Sequence, residues 1–255
     1  MSDRWHTEVL RSEFERTSQT FGERTKGRFD DLGVVEFSRV GAQARVLEVG
    51  VGTGNFLSLF DGRSRELVGV DLTPAMIQKA HASFPDFGLV LADGARLPLG
   101  SRSVDLATTA QTLHHIWEPL PVLKEMRRVT AESGKVLVID QIAPERFEQA
   151  IAMNELEMMR DPSHASSRPP SALRTLMGVA GLRIVEERIV DLKQRFSNWM
   201  PSIEFPQDRI EKVKEFIDQH GDTTGMNFER VGNDYRYDRQ RMMILAERAK
   251  DPLAG

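Results

Sequence analysis

Short apolar runs alternate with longer amphipathic segments between residues 45 and 140 of this chain. Five of these runs predict buried strands, because they are short, rich in Val and Leu, and bounded by glycine or charged residues. They cover residues 46–49, 66–71, 88–92, 103–109 and 133–140. Between them, helical spacing of apolar residues predicts helices from about Asn55, after Thr73-Pro74 and over 119–129. Strands that alternate with helices predict an α/β fold with a mostly parallel sheet.

The two flanks of this region have different patterns. The first 44 residues contain helical spacing at 8–18 and again at 29–40, and predict a helical cap without a strand. Residues 145–160 and 171–181 predict two more helices, separated by the loop 161–170. Strands are predicted at 182–196 and 241–248, with an insertion at about 197–240 between them. We therefore expect a cap at 1–44 and one domain at 45–255.

The first predicted strand leads directly into a glycine-rich turn with Gly50, Gly52 and Gly54. Glycine has no Cβ, so backbone N–H groups in such a turn can approach a ligand closely. A dinucleotide-binding turn, G-x-G-x-x-G, would place its third glycine where this chain has Asn55. Glu48, two residues before the first glycine, adds a carboxylate to the pattern.

Carboxylates also follow the second and third predicted strands. Asp71 ends the run Glu66-Leu-Val-Gly-Val-Asp71, and Asp93 follows the run 88–92. Ligands of open α/β sheets bind at the carboxyl ends of the strands, where Asp71 could accept both hydroxyls of a ribose. Enzymes that bind NAD use the same device. Asp71 therefore predicts an adenosine ribose but does not distinguish NAD from another cofactor that contains adenosine.

Together these features resemble the class I S-adenosylmethionine (SAM) dependent methyltransferases. Glu-x-Gly-x-Gly-x-Gly at 48–54 resembles their motif I, Ala-Asp-Gly-x-x-Leu-Pro at 92–98 their adenine loop, and Leu-His-His at 113–115 the segment after motif IV. The resemblance implies a Rossmann-like, seven-stranded, mostly parallel sheet whose last strand is antiparallel, with helices on both faces. It also implies SAM as cofactor and S-adenosyl-L-homocysteine as product.

The second half is similar to the ubiquinone and menaquinone biosynthesis branch of that family, the methyltransferase domain 11-like branch. The order that carries this similarity is a helix, Arg-Asp-Pro-Ser-His at 160–164, a loop, and a helix ending in Ala-Gly-Leu at 180–182. The similarity covers nearly the whole chain, but specific motifs occur only in 46–140. It implies a small-molecule acceptor from quinone or secondary-metabolite chemistry and does not name the acceptor.

The resemblance assigns cofactor contacts residue by residue. Glu48 would position the glycine turn and the amino group of the cofactor, and Asp93 would accept the adenine amino group. Met76 has an alternative role, because a Met at helical spacing is also a common core residue. The expected cofactor-binding residues are Glu48, Gly50, Gly52, Gly54, Asp71, Leu72, Met76, Ala92, Asp93, Gly94 and Gln111.

Residues that could act on the acceptor are less specific. His114 or His115 could serve as a base, because histidine titrates near neutral pH, but either could instead cap or pack the turn. No metal is expected, since adjacent histidines do not share a ligand face. Candidate substrate contacts, each with a structural role as the alternative, are Phe14, Phe21, Arg24, His164, Arg195 and Trp199.

Composition restricts the function further. The 255 residues carry a net charge of −4, which disfavours a nucleic-acid partner, and the absence of cysteine excludes disulfides and thiol chemistry. There is no signal-peptide pattern and no apolar run near the ~20 residues of a membrane span, so we expect a soluble, cytoplasmic protein. We expect a small, partly apolar or aromatic acceptor, because the cap is rich in Phe, Met and Trp. A homodimer is compatible with the chain.

Three rival interpretations remain open from the sequence. A dehydrogenase would share Asp71 but should have glycine where Asn55 stands. An RNA or protein methyltransferase would share the cofactor half and need a basic or peptide-binding groove. A non-catalytic SAM-binding protein would bind the cofactor without turnover. The sequence also leaves open whether oxygen, nitrogen or carbon is methylated.

Overall fold

The computed structural model describes residues 2–249, apart from the side chains of residues 2–4, 18, 19, 21 and 24. The strands are β1 (Arg45–Val49), β2 (Glu66–Asp71), β3 (Gly88–Leu91), β4 (Val104–Ala110), β5 (Thr130–Gln141), β6 (Leu182–Arg195), β7 (Glu229–Val231) and β8 (Asp234–Arg248). The helices are α1 (Ser2–Thr25), α2 (Val34–Ser38), α3 (Pro74–Ser83), α4 (Pro119–Val129), α5 (Phe147–Arg160), α6 (Pro170–Val179), α7 (Phe196–Trp199) and α8 (Gln207–His220). Short 3₁₀ turns lie at Asp30–Leu32, Leu57–Phe60, Leu113–His115 and Gly221–Thr224.

The strands form one mixed sheet in the order β3-β2-β1-β4-β5-β8-β6, and the short β7 pairs with β8. Strands β1 to β5 pair in parallel, whereas β8 is antiparallel to both β5 and β6. The predicted sheet is therefore confirmed, including the insertion of the last strand between β5 and β6, and the short β7 is an eighth strand beyond the seven predicted. All five parallel strands end at the same edge, which we call the carboxyl edge.

Apolar cores cover both faces of this sheet, which explains why the parallel strands read as nearly continuous apolar runs. On one face, Leu123 and Met126 of α4 pack against strand residues such as Val138. On the other face, Phe37 of α2 and Phe60 of the first βα connection do the same. Among residues 2–249, no helix has the length and apolar character needed to cross a membrane.

Strands β6 and β8 extend beyond the carboxyl edge. Strand β5 ends at Gln141, opposite Arg241, but β6 and β8 stay paired as far as Arg195 and Arg236. We call residues 191–195 and 234–240 the ribbon. A third apolar core, which includes Leu156, Val213 and Tyr237, joins the ribbon to α5 and α8. The ribbon and these helices enclose space directly above the strand ends.

Three predicted elements differ from the structure. The helix expected from Asn55 is wrong in extent: only the 3₁₀ turn Leu57–Phe60 forms, because Asp61 is extended and Gly62 adopts φ +66° before β2 begins. The N-terminal helix extends through Thr25, well beyond the predicted end. The second N-terminal helix is interrupted at Gly33, which has φ +60°.

The predicted insertion is also shorter than expected. Strand β8 begins at Asp234, seven residues before the predicted strand at 241–248, so the last part of the insertion belongs to the sheet. The alternation Tyr235-Arg-Tyr-Asp-Arg239 has the period of two that a strand requires. Its charged residues make it look like a surface loop when only hydrophobicity is considered.

Candidate functional site

The glycine turn lies at the carboxyl edge, directly after β1. Gly50 donates its N–H to the carbonyl oxygen of Val70 at 2.8 Å, which holds the turn against β2. Gly50, Gly52 and Gly54 all have positive φ, at +78°, +52° and +86°, a conformation that L side chains rarely adopt. A Cβ on Gly50 would lie 2.4 Å from the side chain of Thr112. The turn can therefore form in this position only with glycine.

Asp71 supports the same turn from the end of β2. Its Oδ2 accepts the N–H of Gly52 at 2.8 Å, and its Oδ1 accepts the N–H of Thr73, also at 2.8 Å. Burial raises the pKa of Asp71, although these amide bonds oppose the shift. A carboxylate has about four lone-pair positions, so Asp71 retains capacity for two further donors. That capacity is what a pair of ribose hydroxyls would require.

Glu48, which is buried, and Gln111, which is half-buried, each have a buried side-chain atom without a hydrogen-bond partner. Glu48 is 1% exposed, and neither its Oε2 nor the Nε2 of Gln111 has a hydrogen-bond partner among the described residues. Burial raises the pKa of Glu48 well above its ordinary value, and the negative charge of Asp71 raises it further. Buried polar groups are normally paired, so an unpaired acceptor and donor indicate an incomplete site. They fit the charged amino-acid end of SAM, which offers both an ammonium group and a carboxylate.

The remaining predicted cofactor residues lie at the ends of β2 and β3. Asp93 is exposed, and its Oδ1 accepts the N–H of Ala95 at 2.9 Å, which fixes the loop and leaves Oδ2 without a partner in the described chain. Leu72 and Gly94 are half-buried beside it. Met76 is only 1% exposed and belongs to the interior, so it can support the site from below and presents little surface to a ligand.

A cavity of about 810 Å³ opens between the glycine turn, α1 and the ribbon. This volume is typical of small-molecule sites. Glu48 and Gln111 line it, whereas Asp71, Leu72 and Asp93 do not, so the cavity does not extend to the ends of β2 and β3. The cavity residues from α1 are Glu13, Phe14, Arg16, Thr17, Thr20, Glu23 and Thr25. Those from β6 and β8 are Leu192, Gln194, Tyr237, Arg239 and Arg241.

Helix α1 forms the roof of this cavity and is attached at both ends. Near its C-terminus, Nδ2 of Asn55 donates to the carbonyl oxygen of Gly22 at 2.7 Å and to Oγ1 of Thr25 at 2.8 Å. Toward its N-terminus, Nε2 of His6 lies 2.8 Å from the carbonyl oxygen of His115. Asn55, the residue that breaks the dinucleotide pattern, thus fastens the roof to the glycine turn.

The N-terminal substrate candidates are only partly described. Phe14 lines the cavity, and its ring meets that of His115 edge-on with centroids 5.0 Å apart. The predictions for Phe21 and Arg24 fall on side chains outside the described part of the chain. They remain predictions.

His114 and Asp140 form a buried pair in the cavity wall. Nδ1 of His114 lies 2.6 Å from Oδ1 of Asp140, whose Oδ2 accepts the backbone N–H of His114 at 3.0 Å. Burial, and then the neighbouring charge of His115, lower the pKa of His114 well below its ordinary value. Burial raises the pKa of Asp140 to about 6. A neutral His114 that donates Nδ1–H to ionised Asp140 leaves Nε2 as a proton acceptor, and Nε2 has no partner in the described chain.

His115 and His164, the other two histidines predicted as site residues, have structural contacts. Nδ1 of His115 lies 3.0 Å from the carbonyl oxygen of Ser163, which ties the His-His turn to the loop after α5. His164 is 2% exposed and lies behind the cavity wall, with its Nε2 at 2.8 Å from Oδ1 of Asn154. Burial lowers the pKa of His164 to about 4. Across residues 2–249, no group of three or more His, Asp or Glu side chains could hold a metal ion.

A charged wall stands beside the ribbon, and the sequence did not predict two of its members, Glu157 and Arg239. Glu157 is fully buried and contacts Arg160 at 3.2 Å and Arg239 at 2.5 Å. Burial alone would raise the pKa of Glu157, but the two guanidinium groups outweigh it and lower the pKa to about 2. Trp199, a predicted substrate contact, lines the cavity with Arg160 5.4 Å from its ring centroid. Arg195 is exposed, lies outside the cavity lining and is 3.9 Å from Asp234.

Comparisons with known proteins show which domain contains the parallel strands of this site. Residues 47–138 match the family model described as methyltransferase domain. The chain is 25% identical over 199 residues to the uncharacterized methyltransferase YcgJ of Bacillus subtilis, covering 76% of this chain and 79% of that protein. It is 31% identical over 96 residues to a demethylmenaquinone methyltransferase of Renibacterium salmoninarum, covering 38% and 40%. The predicted resemblance to methyltransferases is therefore confirmed.

Solved structures share the fold at low sequence identity. The crystal structure of YcgJ from Bacillus subtilis superposes with a TM-score of 0.77 at 21% identity, covering 86% of this chain and 97% of that one. That of the [4+2]-cyclase SpnF has a TM-score of 0.62 at 16% identity, covering 87% and 80%. Proteins with different names therefore share this fold, and the choice of acceptor has to be argued from the site itself.

Proposed function

We propose that this chain, which carries a methyltransferase domain, uses SAM to methylate an oxygen, nitrogen or carbon atom of a small, partly apolar or aromatic molecule. The observation that carries the proposal is the buried pair of unpartnered atoms, Oε2 of Glu48 and Nε2 of Gln111, where the glycine turn meets the cavity. When bound, the cofactor supplies an activated methyl group on a positively charged sulfur.

Residues at the ends of different strands would bind different parts of this cofactor. Glu48 would accept from its ammonium group, and Gln111 would donate to its carboxylate. Asp71 would accept from the ribose hydroxyls, and Asp93 would accept from the adenine amino group through its free oxygen. The backbone of Gly50 and its neighbours would pack along the amino-acid end of the cofactor. In this arrangement the cofactor would lie across the strand ends from β3 to β1, with its amino-acid end at the cavity.

The cavity would hold the acceptor next to Glu48 and Gln111. Phe14 of α1 and Trp199 and Phe205 beside the ribbon offer apolar and aromatic surface. The roof formed by α1 would exclude water and restrict the acceptor to orientations that face the methyl group. Restricting orientation in this way is a large part of what an enzyme contributes to a displacement reaction.

His114 is placed to remove a proton from the acceptor. Asp140 fixes its ring through Nδ1 and leaves Nε2 as the basic nitrogen on the cavity side. Nδ1 of His115 contacts the carbonyl oxygen of Ser163, and its ring packs against Phe14. His115 would therefore shape the cavity and hold the roof. Of the two adjacent histidines, we therefore assign the role of base to His114.

Calorimetric titration with SAM, and separately with NADH, tests the cofactor assignment. We expect saturable binding of SAM in the micromolar range and none of NADH. Asp71→Ala should weaken SAM binding by at least about tenfold, because it removes the ribose acceptor and loosens the turn at Gly52. Asp86→Ala, an exposed aspartate with no ion pair among the described residues, is the matched control and should bind as the wild type.

Two outcomes would contradict the proposal in different ways. If NADH bound and SAM did not, the glycine turn would be part of a dehydrogenase-type site. If Asp71→Ala left SAM binding unchanged, the ribose would not contact the end of β2, and the proposed arrangement of the cofactor would be wrong.

A further inference from the structure

The ribbon presents a row of polar side chains to the cavity. Tyr237, Arg239 and Arg241 follow one another at every second position of β8, and all three line the cavity. Alternate residues of a strand face the same side, so the strand geometry itself places them in one row. Arg241 lies opposite Gln141, the last residue of β5, so the row starts at the carboxyl edge and continues outward along the ribbon.

The arginines near this row differ in how their charges are balanced. Arg239 and Arg160 share the buried carboxylate of Glu157, and Arg160 also lies 3.4 Å from Asp161. Arg241 is 7% exposed and forms no ion pair with a described carboxylate. Its Nη1 donates to the carbonyl oxygen of Arg28 at 3.1 Å, and its guanidinium lies 5.4 Å from the centroid of the Phe29 ring.

Arg241 is consequently a buried cation with unused donors. Its Nε has no partner, and its Nη2 has no hydrogen bond to a described residue. Burial, and then the charge of Arg239, lower its pKa to about 10, so the guanidinium remains charged at neutral pH. The charge of Asp140 attracts Arg241 but forms no ion pair with it. A buried charge without a paired counterion destabilises the fold, and an anion in the cavity would compensate it. The planar guanidinium can bind both oxygens of one carboxylate.

The cavity is therefore polarised. Glu48 stands at the end that receives the cationic part of the cofactor, on β1, whereas Arg241 stands on β8, and β4 and β5 lie between those strands. Strands in a sheet are about 4.8 Å apart, so these two strands are roughly 14 Å apart. The anion that compensates Arg241 thus belongs at the acceptor's end of the cavity.

We propose that Arg241 binds a carboxylate group of the methyl acceptor, which is then a small acid with an apolar or aromatic body. The body would pack on Trp199 and Phe205, and the carboxylate would take the free donors of Arg241. The proposal rests on the proposed function, because it places the cofactor at the Glu48 end. The cofactor's own carboxylate has the same chemistry, and the test below separates the two sources.

The test uses three carboxylates, phenylacetate, benzoate and hexanoate, each paired with its neutral amide. Binding is followed by ligand-observed NMR and by the fluorescence of the tryptophans, with saturating S-adenosyl-L-homocysteine present. We expect at least one acid to bind saturably and its amide to bind at least about tenfold more weakly. Arg241→Gln should remove this preference, while Arg241→Lys, which keeps the charge, should retain part of it.

A matched control comes from the same strand. Arg236→Gln changes an exposed arginine of β8 that is absent from the cavity lining, and it should leave the preference for the acid unchanged. Titration with SAM provides the second arm. Arg241→Gln should keep the SAM affinity of the wild type within about twofold.

Several outcomes would overturn the proposal. Equal binding of acid and amide, or no saturable binding of any of the three acids, would show that the cavity does not select a carboxylate. A loss of SAM affinity in Arg241→Gln of tenfold or more would assign Arg241 to the cofactor's own carboxylate. Failure of the wild type to bind SAM would instead contradict the proposed function, so the two failures are distinguishable.

Discussion

At the scale of single residues, the proposed role of Glu48 predicts that cofactor binding is linked to the release of a proton. Burial and the charge of Asp71 favour its protonated form in the absence of a ligand. A cationic group placed against it would favour the carboxylate, so binding of SAM should release a proton. The affinity for SAM should therefore increase as the pH rises toward the raised pKa of Glu48 and become constant above it.

Calorimetry in two buffers with different ionisation enthalpies measures this release. The wild type should release up to one proton for each SAM bound at pH values below the raised pKa of Glu48. Glu48→Gln should release less and bind SAM more weakly, with an affinity that depends less on pH. An enthalpy that is identical in both buffers would show that Glu48 is already ionised before the cofactor binds.

The pair of His114 and Asp140 supports a second prediction. With an acceptor found by screening, His114→Gln should lower kcat by about 10²- to 10⁴-fold if the residue removes a proton, with SAM affinity unchanged. The lowered pKa of His114 keeps it neutral, so the rate should stay constant as the pH falls from 8 to about 6.5 and decrease only below that.

Asp140→Asn tests positioning in the same pair. Three donors converge on the carboxylate of Asp140: Nδ1 of His114, the N–H of His114 and the N–H of Gln141. An asparagine offers only one acceptor oxygen, so the ring of His114 should lose its fixed orientation. The variant should lower kcat and change the pH profile of the rate. Loss of kcat with an unchanged pH profile would indicate a purely structural role.

The sequence predicted residues of this site unevenly. Asp71 and the glycine turn were predictable, because the position at the end of a parallel strand fixes their place in the fold. Asp140 was not, although it also ends a strand, because its partner His114 comes from a separate connection. Arg241 and Glu157 were missed because their meeting depends on how far β8 extends past β5, which no local pattern specifies.

At the scale of elements, the attachment of α1 governs access to the site. The helix is largely polar and depends on a few contacts, among them the two hydrogen bonds from Asn55. Asn55→Ala removes both and should increase hydrogen exchange throughout α1. Dissociation of SAM should accelerate severalfold, because an open roof exposes its amino-acid end.

Hydrogen exchange detected by mass spectrometry and stopped-flow release of SAM check this prediction. Asn233→Ala, in the exposed turn between β7 and β8, is the control and should leave both measurements unchanged. Faster exchange in α1 with an unchanged release rate would show that the helix does not close over the cofactor.

The ribbon explains why the sheet was predictable and its extension was not. Apolar runs fix strands that are buried on both faces, as in β1 and β4. Residues 234–240 are paired only with neighbouring strands of the ribbon, and their inner face is covered by Trp199 and charged partners. Their pattern is thus set by the cavity they line, and hydrophobicity alone predicts a loop there.

At the scale of the whole molecule, the buried charges around the cavity should make stability depend on acidity. Burial lowers the pKa of His164 to about 4, so the folded state binds fewer protons there than the unfolded chain. Stability from this group is complete above about pH 6.5 and is lost as the pH falls toward 4. Glu157, with its pKa lowered to about 2, acts in the same direction between about pH 4.5 and 2.

Asp140 acts in the opposite direction. Its pKa is raised to about 6, so the folded state gains protons before the unfolded chain does, and acidification from pH 6 to 4 recovers some stability. The lowered pKa of His114 has the same sign as that of His164. Burial also raises the pKa values of Glu48 and Asp71, so two histidines oppose three carboxyl groups over this range, and we expect little net change of stability until Glu157 is affected below about pH 4.5.

Urea unfolding at a series of pH values from 8 to 3 measures this balance. The free energy of unfolding should change little between about pH 6.5 and 4.5 and decrease below that. Glu157→Gln should be destabilised at every pH by about 3–5 kcal/mol, since it leaves the guanidinium groups of Arg160 and Arg239 buried with one carboxylate fewer. Glu155→Gln, an exposed neighbour on the same helix, should unfold as the wild type does. If both variants behaved alike, the charged wall would not contribute to the stability of the folded chain, and its retention would have to be explained by the acceptor it faces.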